Sequence, residues 1–277
     1  MVAKKTIKKE IVVAGVGIHT GRPVELRLRP SDSGKIIFRR TDLDEFECSL
    51  DPRQVESKNC TMFVSKKGKI LTLEHLLAVL WVYGIDSLIV ELNGEEIPIM
   101  DGSALHFVHA VHQAGIRDLP QRKSSIKITQ RFLIQENDAS ISAAPDSELK
   151  VTYHIHFEHP CIKHQKLSIS VNPENFKREI APARTFGFLK EVPDLHAQGL
   201  AIGGSLKNAV VLDETRVVNG PLRFPDEFVR HKILDFIGDL SLMGSPVTGH
   251  FIAKKAGHAL HLKMIHFLLD HAEYWAG

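Results

Sequence analysis

One order of elements, strands then helix then strand then helix, occurs twice along this chain and restricts its fold more than any single motif does. In the first pass, "KKEIVVAGVGIHTGRPVELRLRP" places an alternating strand on each side of a Gly-rich turn, and "GKIIFRR" supplies a third. "TLEHLLAVLWVYGI" has the length and period of a buried helix opening near Thr72. "SLIVELN" is the next strand, and "SALHFVHAVHQAGI" is a second helix with Ser103 as its N-cap. The polar, Pro-containing "RDLPQRKSS" reads as a linker. In the second pass "SSIKITQRFLIQ", "ASISAAP" and "ELKVTYHIHF" are strands, and a Gly-rich stretch from Phe186 to Leu212 follows. The helix "RHKILDFIGDLSLMG", the strand "GHFIAKKAG" and the helix "ALHLKMIHFLLDHAEYW" complete it. The repetition implies two related α+β domains, 1–120 and 121–277.

A chain of 277 residues has ample length for two cores, and 43% hydrophobic with 25% charged residues is typical of a soluble globular protein. A net charge of +2 gives no general argument for nucleic acid or membrane as partner. No apolar run approaches the roughly 20 residues of a bilayer span, and the basic start lacks a signal-peptide core. Three cysteines without CxxC spacing indicate neither a disulfide framework nor a cysteine zinc site, which points to the cytoplasm.

The segment "FVRHKILDFIGDL" puts His231, Asp235 and Asp239 four residues apart, hence on one helix face, with apolar residues on both sides. The bland reading is a solvated face with an incidental histidine. The sharper one is a metal site. A catalytic zinc takes three protein ligands from His and carboxylate, and His231 with Asp235 gives two from one helix. In each half a histidine stands at the start of the first long helix. Helix starts facing each other across a pseudo-twofold junction therefore bring in His75 as third ligand, with Glu74 beside it as general base. Asp239 is placed to orient a second histidine. Most of the 16 histidines must be bland. His106, His109 and His112 read as a half-exposed helix face, and His154 with His156 as a strand pair without a carboxylate at defined spacing.

"GVGIHTG", "TLEHLLAVL", "EIPIMDGSA", "ARTFGF", "GGSLKNAVV", "FVRHKILDFIGDL" and "KKAGHAL", in this order, closely resemble the UDP-3-O-acyl-N-acetylglucosamine deacetylases, zinc amidases of lipid A biosynthesis. The resemblance spans essentially the whole chain. It implies an α+β fold of two related domains, each a small, mainly antiparallel sheet packed on two helices, with the helix layers facing each other across the active site. It also implies hydrolysis of the acetamide of UDP-3-O-acyl-GlcNAc, without nucleic acid or a transmembrane segment. We expect a monomer. The family's metal ligands fall on His75, His231 and Asp235, its general base on Glu74, and its cationic histidine on His258, paired with Asp239. Thr185 matches the hydroxyl that helps hold the substrate carbonyl, Phe186 packs on the sugar, and Lys232 reaches the polar head. Cys60 matches a cysteine close to the metal. The bland readings are that Thr185 caps a turn and Phe186 fills core.

Lys255 of "KKAGHAL" is a further expected substrate contact. The apolar insert from Phe186 to Leu212, including Leu200 and Ile202, is expected to form a passage for the fatty acyl chain. The same donors suit Zn2+ or, as the alternative, Fe2+. One departure stands out: the family usually has Asn after "GHAL", and here His261 follows. A related lyase, a different amidase and a catalytically dead binding module are the rivals. Release of acetate from the nucleotide sugar separates the first two, and intact Glu74 and His258 argue against the last.

Overall fold

The computed structural model describes residues 1–44 and 46–277. The first half runs β1 (Val2–Ile7), β2 (Ile11–Val16), β3 (Pro23–Pro30), β4 (Ile36–Arg40), β5 (Phe46–Ser49), β6 (Val55–Ser57), β7 (Thr61–Ser65), β8 (Gly68–Ile70), α1 (Glu74–Val82), β9 (Leu88–Leu92), α2 (Leu105–Ala114) and β10 (Ile116–Lys123). The second runs β11 (Ile126–Ile128), β12 (Phe132–Glu136), β13 (Ala139–Ala144), β14 (Leu149–Phe157), β15 (Lys163–Ser170), α3 (Pro173–Asn175), β16 (Phe186–Phe188), α4 (Val192–Ala197), β17 (Val210–Leu212), α5 (Glu227–Leu240), β18 (Val247–Lys254), α6 (His258–Asp270) and β19 (Trp275–Ala276).

The repetition read from the sequence is a repetition of topology. The first sheet has the order β2-β3-β9-β4-β5, with antiparallel, antiparallel, parallel and antiparallel neighbours. Strands β12, β13, β18, β14 and β15 repeat that order and those senses. Each half also carries an insertion at the same point of the chain, between the fourth of its sheet strands and its first long helix. In the first half it is the small antiparallel sheet β6-β7-β8; in the second it contains the parallel pair β16-β17.

Alternation explains the sheets. Leu26, Leu28, Val90 and Leu92 point inward from the first, and Ile141, Val151, Tyr153 and Phe251 from the second. The helices they cover meet at the centre, where α1 packs on α5. Helix α5 is buried on nearly every face, with Phe228, Ile233, Leu234, Phe236 and Ile237 all fully enclosed, as suits a helix between two layers. Gly238 permits the approach, since a Cβ there would sit 2.2 Å from the Glu74 carbonyl oxygen.

Two local expectations are corrected. The expected linker is a strand: β10 pairs antiparallel with β1, and Pro120, which has no N–H to give, lies where the register slips between Ala3↔Arg122 and Lys5↔Asp118. Ser103 is not the N-cap of α2, which starts at Leu105. Its hydroxyl instead accepts the Leu105 N–H at 3.3 Å from one turn position earlier.

Candidate active site

Helix α5 delivers His231, Asp235 and Asp239 on one buried face, and the N-terminus of α1 delivers Glu74 and His75 opposite them. One ligand atom each from His75, His231 and Asp235 lies within 4.8 Å of the others. His231 Nε2 stands 3.3 Å and His75 Nε2 3.7 Å from Asp235 Oδ1. Two ligands about 2.0–2.1 Å from a common tetrahedral ion are separated by about 3.3–3.4 Å, so these spacings fit one metal.

Hydrogen bonding fits it too. His231 donates its Nδ1–H to the Ala183 carbonyl at 3.1 Å, which leaves the Nε2 lone pair facing Asp235. Among the described residues, His75 Nδ1 is the one buried side-chain nitrogen or oxygen without a hydrogen-bond partner, and its Nε2 is too far from Asp235 to make one. Its Nε2 is thus the nitrogen that faces Asp235 and His231 and would ligate a metal there, while Nδ1, on the other side of the ring, would be left for a separate hydrogen-bond partner. Burial lowers the pKa of His231 to about 4, which keeps it in the neutral form that ligates. Asp235 is held well below the usual carboxylate range despite burial by its neighbours His231 and Lys232, the latter a standing cation whose Nζ donates to Oδ2 at 2.9 Å.

Glu74 accepts the Thr61 backbone N–H at 3.0 Å through Oε2, while Oε1 lies 3.9 Å from His258 Nε2. Desolvation raises its pKa, which favours a proton acceptor. His258 opens α6 and is fixed by Asp239, Nδ1 to Oδ2 at 2.7 Å. Its Nε2 therefore points at Glu74 and Asp235, 3.9 Å from each. Thr61 joins both groups: its hydroxyl contacts Asp239 Oδ1 and lies 3.1 Å from His258 Nδ1.

Glu74, His75, His231, Asp235 and His258 line a cavity of about 960 Å³, whose other lining includes Ser57–Asn59 and the β16–β17 insertion. Thr185, Phe186 and Lys232 line it as expected. Thr185 is held by backbone bonds to Gly102 and Val210 at 2.8 and 2.7 Å. Phe186 packs edge-on to Phe228 and Phe157, and Lys232 Nζ lies 5.8 Å from its ring centre. The segment before them is clamped by Glu227, which takes Nε and an Nη of Arg184 and the Arg184 and Arg223 backbone N–H groups.

Other expected contacts lie elsewhere. Lys255 Nζ bonds Asp138 at 2.8 Å and is not among the residues lining the cavity. Leu200 and Ile202 are not lining residues either; Phe188, Leu189, Val192, Leu195, Leu206 and Val211 are the apolar wall. Their loop latches the halves together, Ile202 N–H to the His19 carbonyl at 3.1 Å and Gly203 N–H to that of Ile18 at 3.0 Å. Cys60 is buried, and burial pushes its thiol up. His106, His109 and His112 are exposed, and His154 and His156 belong to no metal-spaced group among the described residues. Sequence reasoning missed Thr61, which follows Cys60 without any spacing signal. It also missed His19, which lines the cavity from the first Gly-rich turn.

Two histidines and an aspartate around one point, with a carboxylate and a charged histidine flanking them, form the apparatus of metal-dependent hydrolases. Comparison with known proteins narrows that class. Residues 4–270 match the model of the UDP-3-O-acyl N-acetylglycosamine deacetylase family, and the chain belongs to this family. It is 48% identical over 269 residues to the UDP-3-O-acyl-N-acetylglucosamine deacetylase of Thermodesulfovibrio yellowstonii, covering 96% of this chain and 92% of that one. Proteins of the same name are 43% identical in Syntrophus aciditrophicus, covering 99% and 89%, and 44% identical in Nautilia profundicola, covering 93% and 88%.

Proposed function

We propose that this chain is a zinc-dependent hydrolase that removes the N-acetyl group from UDP-3-O-acyl-N-acetylglucosamine, releasing acetate and leaving a free amine for lipid A biosynthesis. The observation that carries the reading is the triad His75, His231 and Asp235, spaced for one ion and lining a large cavity. The donor set suits Zn2+, with Fe2+ the alternative. Bound there, zinc supplies Lewis acidity, polarising a carbonyl and acidifying water towards a pKa of about 7.

The protein's own groups divide the remaining work. Glu74, buried and raised in pKa, takes the proton from the attacking water. His258, charged through neutrality, gives a proton to the departing amine and faces the negative charge that develops on the carbonyl. The Thr185 hydroxyl helps hold that carbonyl, and Phe186 offers a flat apolar surface to the sugar. Lys232 secures Asp235 and offers a cation to the substrate's polar head. The apolar wall from Phe188 to Val211 takes the acyl chain.

No helix among the described residues is long and apolar enough to cross a membrane; we place the enzyme in the cytoplasm as a monomer of two domains, 1–120 and 121–277. Acetate release from UDP-3-O-acyl-GlcNAc tests the function. Turnover of a different nucleotide sugar with no acetate formed would overturn it.

A further inference from the structure

The Asp239 carboxylate serves a second imidazole that the proposed chemistry does not use. His261 lies one turn beyond His258 on α6 and is completely enclosed. Its Nδ1 is 2.7 Å from Asp239 Oδ2, the same oxygen that holds His258. Its Nε2 is 3.0 Å from the hydroxyl of Tyr153, a fully buried residue of β14 whose O–H donates to the Ala256 carbonyl at 2.8 Å. Phe236 packs edge-on to the ring at 5.2 Å. The imidazole thus has the Asp239 carboxylate against Nδ1, the Tyr153 hydroxyl oxygen against Nε2 and the Phe236 ring at right angles to its own. A chain of contacts runs from the second sheet through Tyr153, His261 and Asp239 to His258.

We infer that His261 is a positioning residue for the reaction. It pins Asp239 so that Oδ2 meets His258 while Oδ1 meets Thr61, and it keeps water off that carboxylate. Three side chains converge on Asp239: Thr61 on Oδ1, and His258 and His261 on Oδ2. Without His261 the carboxylate would lose one donor on Oδ2 and gain room to turn. His258 would then meet a movable, hydrated partner, and its Nε2 would lose its fixed aim at Glu74 and Asp235. The effect falls on the chemical step, because His261 does not line the cavity and touches no part of it that a substrate would fill.

The inference rests on His258 acting as the proton donor. Its test compares His261→Asn with His261→Leu, two side chains of nearly one shape, of which only Asn can donate to Asp239. Zinc content, kcat and KM are measured for UDP-3-O-acyl-GlcNAc. Asn should keep kcat within about twofold, whereas Leu should lower it about tenfold, the usual scale for a lost orienting partner. Zinc content and KM should be unchanged in both. Equal kcat in the two variants, or a loss carried by KM, overturns the inference. Should the Leu variant not fold, Tyr153→Phe removes one hydroxyl from the same chain. A fall in kcat at constant KM then supports the inference, and an unchanged kcat overturns it. His258→Ala separates the levels: activity lost there but not in His261→Leu sinks this inference alone, while activity kept there sinks the assignment beneath it.

Discussion

His258 Nδ1 and Asp239 Oδ2 meet at 2.7 Å inside the core, with Asp239 wholly shielded from solvent. Burial alone would lower the imidazole's pKa, but the charge and hydrogen bond of Asp239 outweigh it and carry His258 up to about 9. A raised value means that the charged form persists through neutrality and is lost as pH rises through about 9. With His258 as proton donor, kcat falls along that alkaline limb. Asp239→Asn removes the raising charge, so the limb moves to lower pH. A pH–rate profile of the two proteins checks this, and a limb that stays in place would assign the acid elsewhere.

Glu74 sits beside a proposed ligand but makes its own hydrogen bond to the Thr61 N–H. Glu74→Gln preserves that contact and the three ligands while removing the base. Metal content should remain at the wild-type level, and kcat should fall about a hundredfold or more, the ordinary contribution of a general base. Near-normal kcat with metal bound would free Glu74 from that role.

Glu227 is fully buried and binds the Arg184 guanidinium at 2.8 Å together with two backbone N–H groups. Glu227→Ala strands a guanidinium that is largely withdrawn from water. Breaking a buried pair of this kind costs about 3–5 kcal/mol. Urea unfolding should show a loss of that order, with a higher KM because Thr185 and Phe186 follow Arg184 directly. A shift of under about 1 kcal/mol, the scale of an exposed pair, would contradict the clamp.

The cavity wall gives a test of the acyl site. Gly187 lines the cavity, and a Cβ there meets no atom within 4 Å. Gly187→Leu should fold, bind metal normally and project into the passage. Each buried methylene contributes about 0.8 kcal/mol. The variant should therefore lose far more kcat/KM on a long-chain substrate than on a short-chain analogue. Equal losses on both would put the acyl chain elsewhere.

Much of the site was legible because it lies on helices, where spacing in sequence is spacing on a face. The four-residue steps His231, Asp235, Asp239 placed three functional groups before any tertiary contact was known. The reading of both His75 and His231 as helix starts holds only for His75, the second residue of α1; α5 begins at Glu227, a turn before His231, and the packing of α1 on α5 brings the two together. Positions set by tertiary contact carried no such mark. Thr61 reaches Asp239 across 178 residues of sequence, and nothing periodic announces it. The short strands β5 to β8 and the polar edge strand β15 lack the clean alternation that marked β2 and β3. In the insertion, apolar composition indicated a passage, but the backbone latch at His19 turns Leu200 and Ile202 away from its lining, leaving that role to Leu195 and Val211.

The central claim is that one metal held by His75, His231 and Asp235 supports deacetylation. Titrating zinc into chelator-stripped enzyme while measuring acetate released from UDP-3-O-acyl-GlcNAc tests it most directly, with Asp235→Ala alongside. Activity should rise in proportion to zinc up to one ion per chain, and Asp235→Ala should neither hold zinc tightly nor release acetate. Full acetate release by the stripped enzyme, or stoichiometric zinc in an active Asp235→Ala, would contradict the account.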